Sequence, residues 1–177
     1  GIQTAALAFG GIATNAPAVG SANTEEYDGS TWSTSPGSMT TSRSSGGSTG
    51  ILTAGLAFGG NPSPGSAGEA TEEYNGTTWG GGGTMIAGHH NIKGFGTQTA
   101  TTTIGQGITY GTKTYQYDGT TWTTNAANTT ARGMLGGTAG TSTAGLGAGG
   151  YGPGYFNATE EFTGEVETAT SSNITSS

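Results

Sequence analysis

The chain has 177 residues, of which 37 are glycine; only 31 % are hydrophobic and 8 % charged, and threonine is about as frequent as glycine. Glycine and β-branched threonine both weigh against long helices, while three Trp, seven Tyr and five Phe weigh against a disordered chain. With a net charge of −7 and only Arg43, Lys93, Lys113 and Arg132 as cations, the chain lacks the basic footprint of a nucleic-acid binder, and no apolar run approaches the ~20 residues that span a bilayer.

The predicted elements recur. The first is a small-residue strand ending in a glycine pair, Ala5-Ala6-Leu7-Ala8-Phe9-Gly10-Gly11. Alternation puts Leu7 and Phe9 on one face and Ala6 and Ala8 on the other, so one side carries bulk and the other admits a neighbouring backbone. The glycines allow a positive-φ turn away from the strand. Next comes a hairpin over residues 24–32, Thr-Glu-Glu-Tyr-Asp-Gly-Ser-Thr-Trp. Asp28-Gly29 predicts a two-residue type I′ loop, which sets Tyr27 opposite Ser30 and makes Tyr27 and Trp32 diagonal neighbours on one face. Met39-Thr40-Thr41-Ser42-Arg43 then leads into a glycine-rich stretch.

The second copy repeats all three signals: Ala54-Gly55-Leu56-Ala57-Phe58-Gly59-Gly60, a hairpin from Thr71 to Trp79 around Asn75-Gly76, and a stretch ending at His89. The third has a degenerate strand, Ala100 to Gly105, then a hairpin from Thr114 to Trp122 around Asp118-Gly119, then Asn128 to Arg132. The fourth runs from Ala144 to Gly150 and on to Thr159-Glu160-Glu161-Phe162, where the tryptophan is lost, as befits a terminal repeat. The basic residues Arg43, His89 and Arg132 follow their tryptophans by 11, 10 and 10 positions and are expected to satisfy loop carbonyls. Tyr27, Tyr74, Tyr117 and Phe162 mark a period of about 45 residues. The copies read as one domain over 1–177, divided at about 1–49, 50–95, 96–139 and 140–177. The chain opens at Gly1 in mid-repeat, which reads as a processed chain or a piece of a longer one.

A unit of about 45 residues with some four short strands fits an all-β propeller blade. The glycine pair, Tyr and Trp at Gly10, Gly11, Tyr27 and Trp32, and at Gly59, Gly60, Tyr74 and Trp79, resemble kelch or galactose-oxidase-like blades. The Tyr-to-Trp spacing of five is shorter than in kelch repeats. The strings TEEYDGSTW and TAGLAFGG resemble the Gly/Thr-rich repeats of marine bacteriophage structural proteins, which implies a tail-fibre or virion-surface setting. The expected fold is therefore a β-propeller of about four blades. A segment of a larger propeller and an open β-repeat array are the alternatives. In the four-blade reading the tail around Ile174 pairs with the first copy and closes the ring; otherwise more blades precede Gly1 in a longer chain, or subunits complete one another in an oligomer.

Candidate chemistry is sparse. There is no cysteine, which removes disulfides and the Tyr–Cys copper chemistry that the galactose-oxidase resemblance would imply. The pairs Glu25-Glu26, Glu72-Glu73 and Glu160-Glu161 recur in register; a catalytic pair needs two different environments, so they read as scaffold, one Glu of each facing solvent and discouraging edge-to-edge pairing. His89 and His90 are adjacent, so on a strand they point to opposite faces and do not share a metal; a surface turn is their expected place. Gly80 to Gly83 lacks the Lys-Ser/Thr of a phosphate loop. No cofactor and no metal are expected. Residues outside the repeat core, Tyr110, Tyr151, Tyr155 and Phe156 with His89 and His90, are the candidate ligand-contact loops. The expected function is a non-enzymatic structural or surface-binding module, extracellular or on a virion, homo-oligomeric among other virion or surface proteins and gripping a host glycan. A secreted carbohydrate-active enzyme on the same scaffold is the alternative.

Overall fold

A computed structural model of the chain describes residues 1–15, 18–61, 68–107 and 110–164. In chain order, the first copy supplies β1 (Ala6–Phe9), β2 (Ile12–Asn15), β3 (Ala18–Gly20), β4 (Thr24–Tyr27) and β5 (Trp32–Thr34). The second supplies β6 (Gly47–Ile51), β7 (Ala54–Phe58), β8 (Thr71–Tyr74) and β9 (Trp79–Gly81). The third supplies β10 (Lys93–Thr97), β11 (Ala100–Ile104), β12 (Thr114–Tyr117) and β13 (Trp122–Asn125), and the fourth β14 (Gly137–Thr141), β15 (Ala144–Ala148) and β16 (Thr159–Thr163). The described residues are all-β and form five small antiparallel sheets. Four of these follow one plan, most complete in β6-β7-β8-β9 and β10-β11-β12-β13; the fifth is the hairpin β2-β3. In the first sheet Ile2 bridges Ala5 as Ile51 pairs with Ala54 in the second. The tail around Ile174, expected to close a ring, lies outside the described residues. Among the described residues no hydrogen bond or ion pair joins the first sheet to the fourth.

The hairpins form where predicted but with a different loop. Tyr27 pairs directly with Trp32, Tyr74 with Trp79 and Tyr117 with Trp122, so each loop has four residues, not two. The reason is the side-chain acceptor. Asn75 Oδ1 accepts the N–H groups of Thr77 at 3.0 Å and Thr78 at 2.9 Å, and Asp28 and Asp118 bind their own turns the same way. Only the glycine takes positive φ, +95° at Gly76, whereas a type I′ turn requires it at both central residues. The expected aromatic contacts survive the change of register: the Tyr and Trp centroids lie 5.1, 5.1 and 4.9 Å apart in the three copies.

The core is divided among the junctions between successive sheets. Met39, Ala57, Tyr74 and Trp79 fill the first with Leu7 and Phe9; Leu56, Phe58, Met85, Ile92, Tyr115, Tyr117 and Trp122 fill the second; Phe95, Ile104, Leu135 and Phe162 fill the third. Leu7 and Phe9 do share the bulky face of β1, turned toward the second sheet. The small face of the next strand receives them, since a Cβ on Gly55 would sit 2.9 Å from Leu7 Cδ2, and one on Gly145 would enter the Phe95 ring. Close sheet-on-sheet approach is what the alternation of small and large residues achieves.

Candidate functional site

Each junction is tied by polar groups that the repeat places in register. The Trp79 indole N–H donates to Thr24 Oγ1 at 2.8 Å, and Trp122 repeats the bond to Thr71 at 2.9 Å. The Tyr74 hydroxyl donates to Glu26, and Tyr117 donates to Glu73 at 2.7 Å. The phenol of Tyr117 is pushed up to about 12 by burial and by that carboxylate. The first glutamate of each later pair faces the opposite way. Glu72 accepts from the Thr40 and Thr41 amides and pairs with Arg43 at 2.6 Å, with both side chains buried. Glu160 accepts the Thr130 amide at 2.9 Å and lies 3.3 Å from Arg132. Burial works to raise both carboxyls, but the threonine and arginine contacts outweigh it and hold them below their ordinary value. Glu25 and Glu161 face solvent as expected, Glu161 on the edge strand β16, whereas the middle pair departs from that expectation. β8 is flanked by β7 and β9, with Glu72 spent on the loop from Thr40 to Arg43 of the preceding copy and Glu73 on Tyr117 of the following one.

Of the three basic residues, the two arginines satisfy loop carbonyls as the sequence suggested, and His89 does not. Arg43 Nη1 donates to the Gly59 and Ala70 carbonyls at 2.9 and 2.8 Å, and Arg132 Nη1 to those of Gly149 and Ala158 at 2.9 and 3.2 Å. Each arginine thereby clamps the neck of the loop joining the second and third strands of the following copy. The loop held by Arg132 carries Tyr151, Tyr155 and Phe156, and the guanidinium lies 5.3 Å from the Phe156 centroid.

These loops bring three candidate aromatics together. Tyr110 and Tyr151 pack edge to face at 5.5 Å, and Tyr151 and Tyr155 at 5.2 Å, forming a continuous run across two copies. Tyr155 is 93 % exposed, and Tyr110 holds a positive φ of 33°, uncommon for a non-glycine residue. Phe156 belongs to the same loop through Arg132. The histidines are not in an open surface turn. His89 Nε2 lies 3.1 Å from the Tyr115 hydroxyl, and burial, helped by His90 and Lys113, lowers its pKa. It occupies the place that arginine holds in the other copies, with Tyr115 in the place of the glutamate. His90 is half-buried, its Nδ1 lacks a hydrogen-bond partner, and its ring lies against Gly107 in the loop leading to Tyr110. Among the described residues no three His, Asp or Glu side chains are grouped to share a metal ion.

One feature escaped sequence reasoning. Ser45, Asn91 and Met134, each two residues after its basic residue, all take left-handed backbone with φ of 56°, 54° and 49°. They converge with Gly46, Lys93 and Leu135 on a cleft of about 320 Å³. Three different side chains hide this shared conformation; only their constant offset from Arg43, His89 and Arg132 signals it.

No family model matches the chain, and no curated protein does. Among solved structures its fold is similar to that of YjhT. The TM-score is 0.67 at 15 % identity, over 84 % of this chain and 51 % of that one. The chain therefore spans about half the length of YjhT, and at this identity the likeness concerns fold alone.

Proposed function

We propose that the chain is a non-enzymatic surface module, part of a kelch-like β-propeller on a virion or cell surface, that binds a glycan through its non-repeating loops. The observation that carries this reading is the Tyr110–Tyr151–Tyr155 run, which lies outside the repeated core and ends in a ring 93 % exposed. Aromatic faces held edge to face offer flat apolar surfaces with polar tips, the chemistry that stacks on sugar rings. The propeller reading is supported by sheets of one plan packed face to face through repeated ties. The likeness of the strings TEEYDGSTW and TAGLAFGG to phage structural repeats supports the virion setting. A glycan array probed with the whole chain tests the binding. We expect discrete hits that weaken tenfold or more with Tyr155→Ala; no hits, or hits unchanged by that substitution, leave a purely structural module.

A carbohydrate-active enzyme is the second reading, favoured by His90, whose buried Nδ1 is unpartnered beside the Tyr110 loop. Turnover of a polysaccharide abolished by His90→Ala would establish it in place of the first.

A further inference from the structure

The two inner junctions that carry a tryptophan define what each face of a sheet binds. The face turned to the preceding sheet offers an indole N–H and a tyrosine hydroxyl; the face turned to the following sheet offers a threonine hydroxyl and a carboxylate. Among the described residues both kinds of face are open. On the first sheet Trp32 is 52 % exposed, against 9 % for Trp79 and 6 % for Trp122. Register places Tyr27 opposite Trp32 and Ala6 opposite Tyr27, so the donors stand over a strand of small residues, as Tyr74 does over Gly55. On the fourth sheet Thr159 and Glu161 occupy the places of Thr71 and Glu73. Both are exposed, whereas Thr24, Thr71 and Thr114 are buried. Beside them Leu146 is 37 % exposed, whereas its counterpart Leu56 is fully buried.

We infer that the open face of the first sheet is a docking surface for the fourth sheet of a second copy of this chain. Trp32 Nε1 donates to Thr159 Oγ1 of that copy, the Tyr27 hydroxyl donates to its Glu161, and its Leu146 packs against Ala6 and Ala8. The occupant follows from the inner junctions, where the same donors meet the same acceptors and the same leucine position meets small residues. At the 3–4 junction both members of the tyrosine tie are replaced: Phe162 stands where Tyr74 and Tyr117 stand, and Gln116 where Glu26 and Glu73 stand. Glu161 keeps its carboxylate, and Tyr27 its hydroxyl, as a used tie requires. The contact is head-to-tail, so it builds closed rings or extended arrays, not an isologous dimer.

The test is the mass of the whole chain by light scattering across a concentration series, with folding followed by circular dichroism. The expected result is multiples of the 17.3 kDa protomer that grow with concentration. Trp32→Phe with Tyr27→Phe disables one face, and Thr159→Val with Glu161→Gln the other; either pair weakens association about tenfold or more. Mixed at a concentration where neither associates alone, the two folded variants each supply one intact face and form a one-to-one dimer. A monomer at all concentrations overturns the inference, as does assembly insensitive to both variants, or a mixture that stays monomeric. Glycan binding by the loops is read separately, so failure of either proposal leaves the other standing.

Discussion

Arg43 shows how much one side chain does in this thinly built protein. It is 2 % exposed and bridges two carbonyls of the next copy's loop neck while pairing with Glu72, also 2 % exposed. A buried ion pair is not in itself strong evidence of stability, because desolvating both charges offsets much of their attraction. Removing one partner is different, since it strands the other. Arg43→Met alone is expected to destabilise by about 3–5 kcal/mol, whereas Arg43→Met with Glu72→Met should recover much of the loss, as measured by a double-mutant cycle in urea. Single losses that simply add in the double variant would show the pair to be idle. The junction between the second and third copies makes the same point: where His89 replaces the arginine, Tyr115 replaces the glutamate. A charge was not left without its partner.

At the scale of elements, the hairpins show what was legible and what was not. The small-residue strands, the Tyr–Trp hairpins and the glycine turns follow from alternation and composition and stand where the sequence puts them, whereas β6, β10, β14 and the β2-β3 hairpin carry no such signal. The loop length did not follow, because Asp-Gly and Asn-Gly fit two turns: one uses the first residue's tolerance of positive φ, the other its side-chain oxygen as an amide acceptor. Asn75 separates them. If its oxygen is what matters, Asn75→Asp is neutral, whereas Asn75→Ala and Asn75→Gly both lose about 1 kcal/mol, read from thermal melts. Rescue by glycine would favour the two-residue turn. The full use of the Glu72-Glu73 pair was hidden for a related reason. Adjacent strand residues face opposite sheets, so Glu72 and Glu73 each needed a partner from a different copy, and reading one copy at a time hides that. The aromatic run was legible only as residues outside the repeat; that Tyr110 and Tyr151 meet depends on two loops from different copies coming together.

Across the whole molecule, the three junctions titrate differently because their ties differ. Glu72 and Glu160 have folded pKa values below the ordinary 4.5, so each contributes stability that is present above that value and is lost as pH falls through the folded one. His89 is lowered from 6.5 chiefly by burial. Below 6.5 the unfolded chain takes up a proton that the folded chain resists, so the second junction weakens as pH falls toward the lowered value. The melting temperature is therefore expected to fall in two limbs, a first beginning near pH 6.5 and a steeper one below about 4.5. His89→Gln should flatten the first and Glu72→Gln should reduce the second. Because the described residues form three separate core clusters and not one spanning the sheets, these limbs report separate junctions. A profile flat from pH 7 to 5 would mean that the second junction does not depend on a neutral His89, and that Tyr115 and Met85 hold it by packing alone.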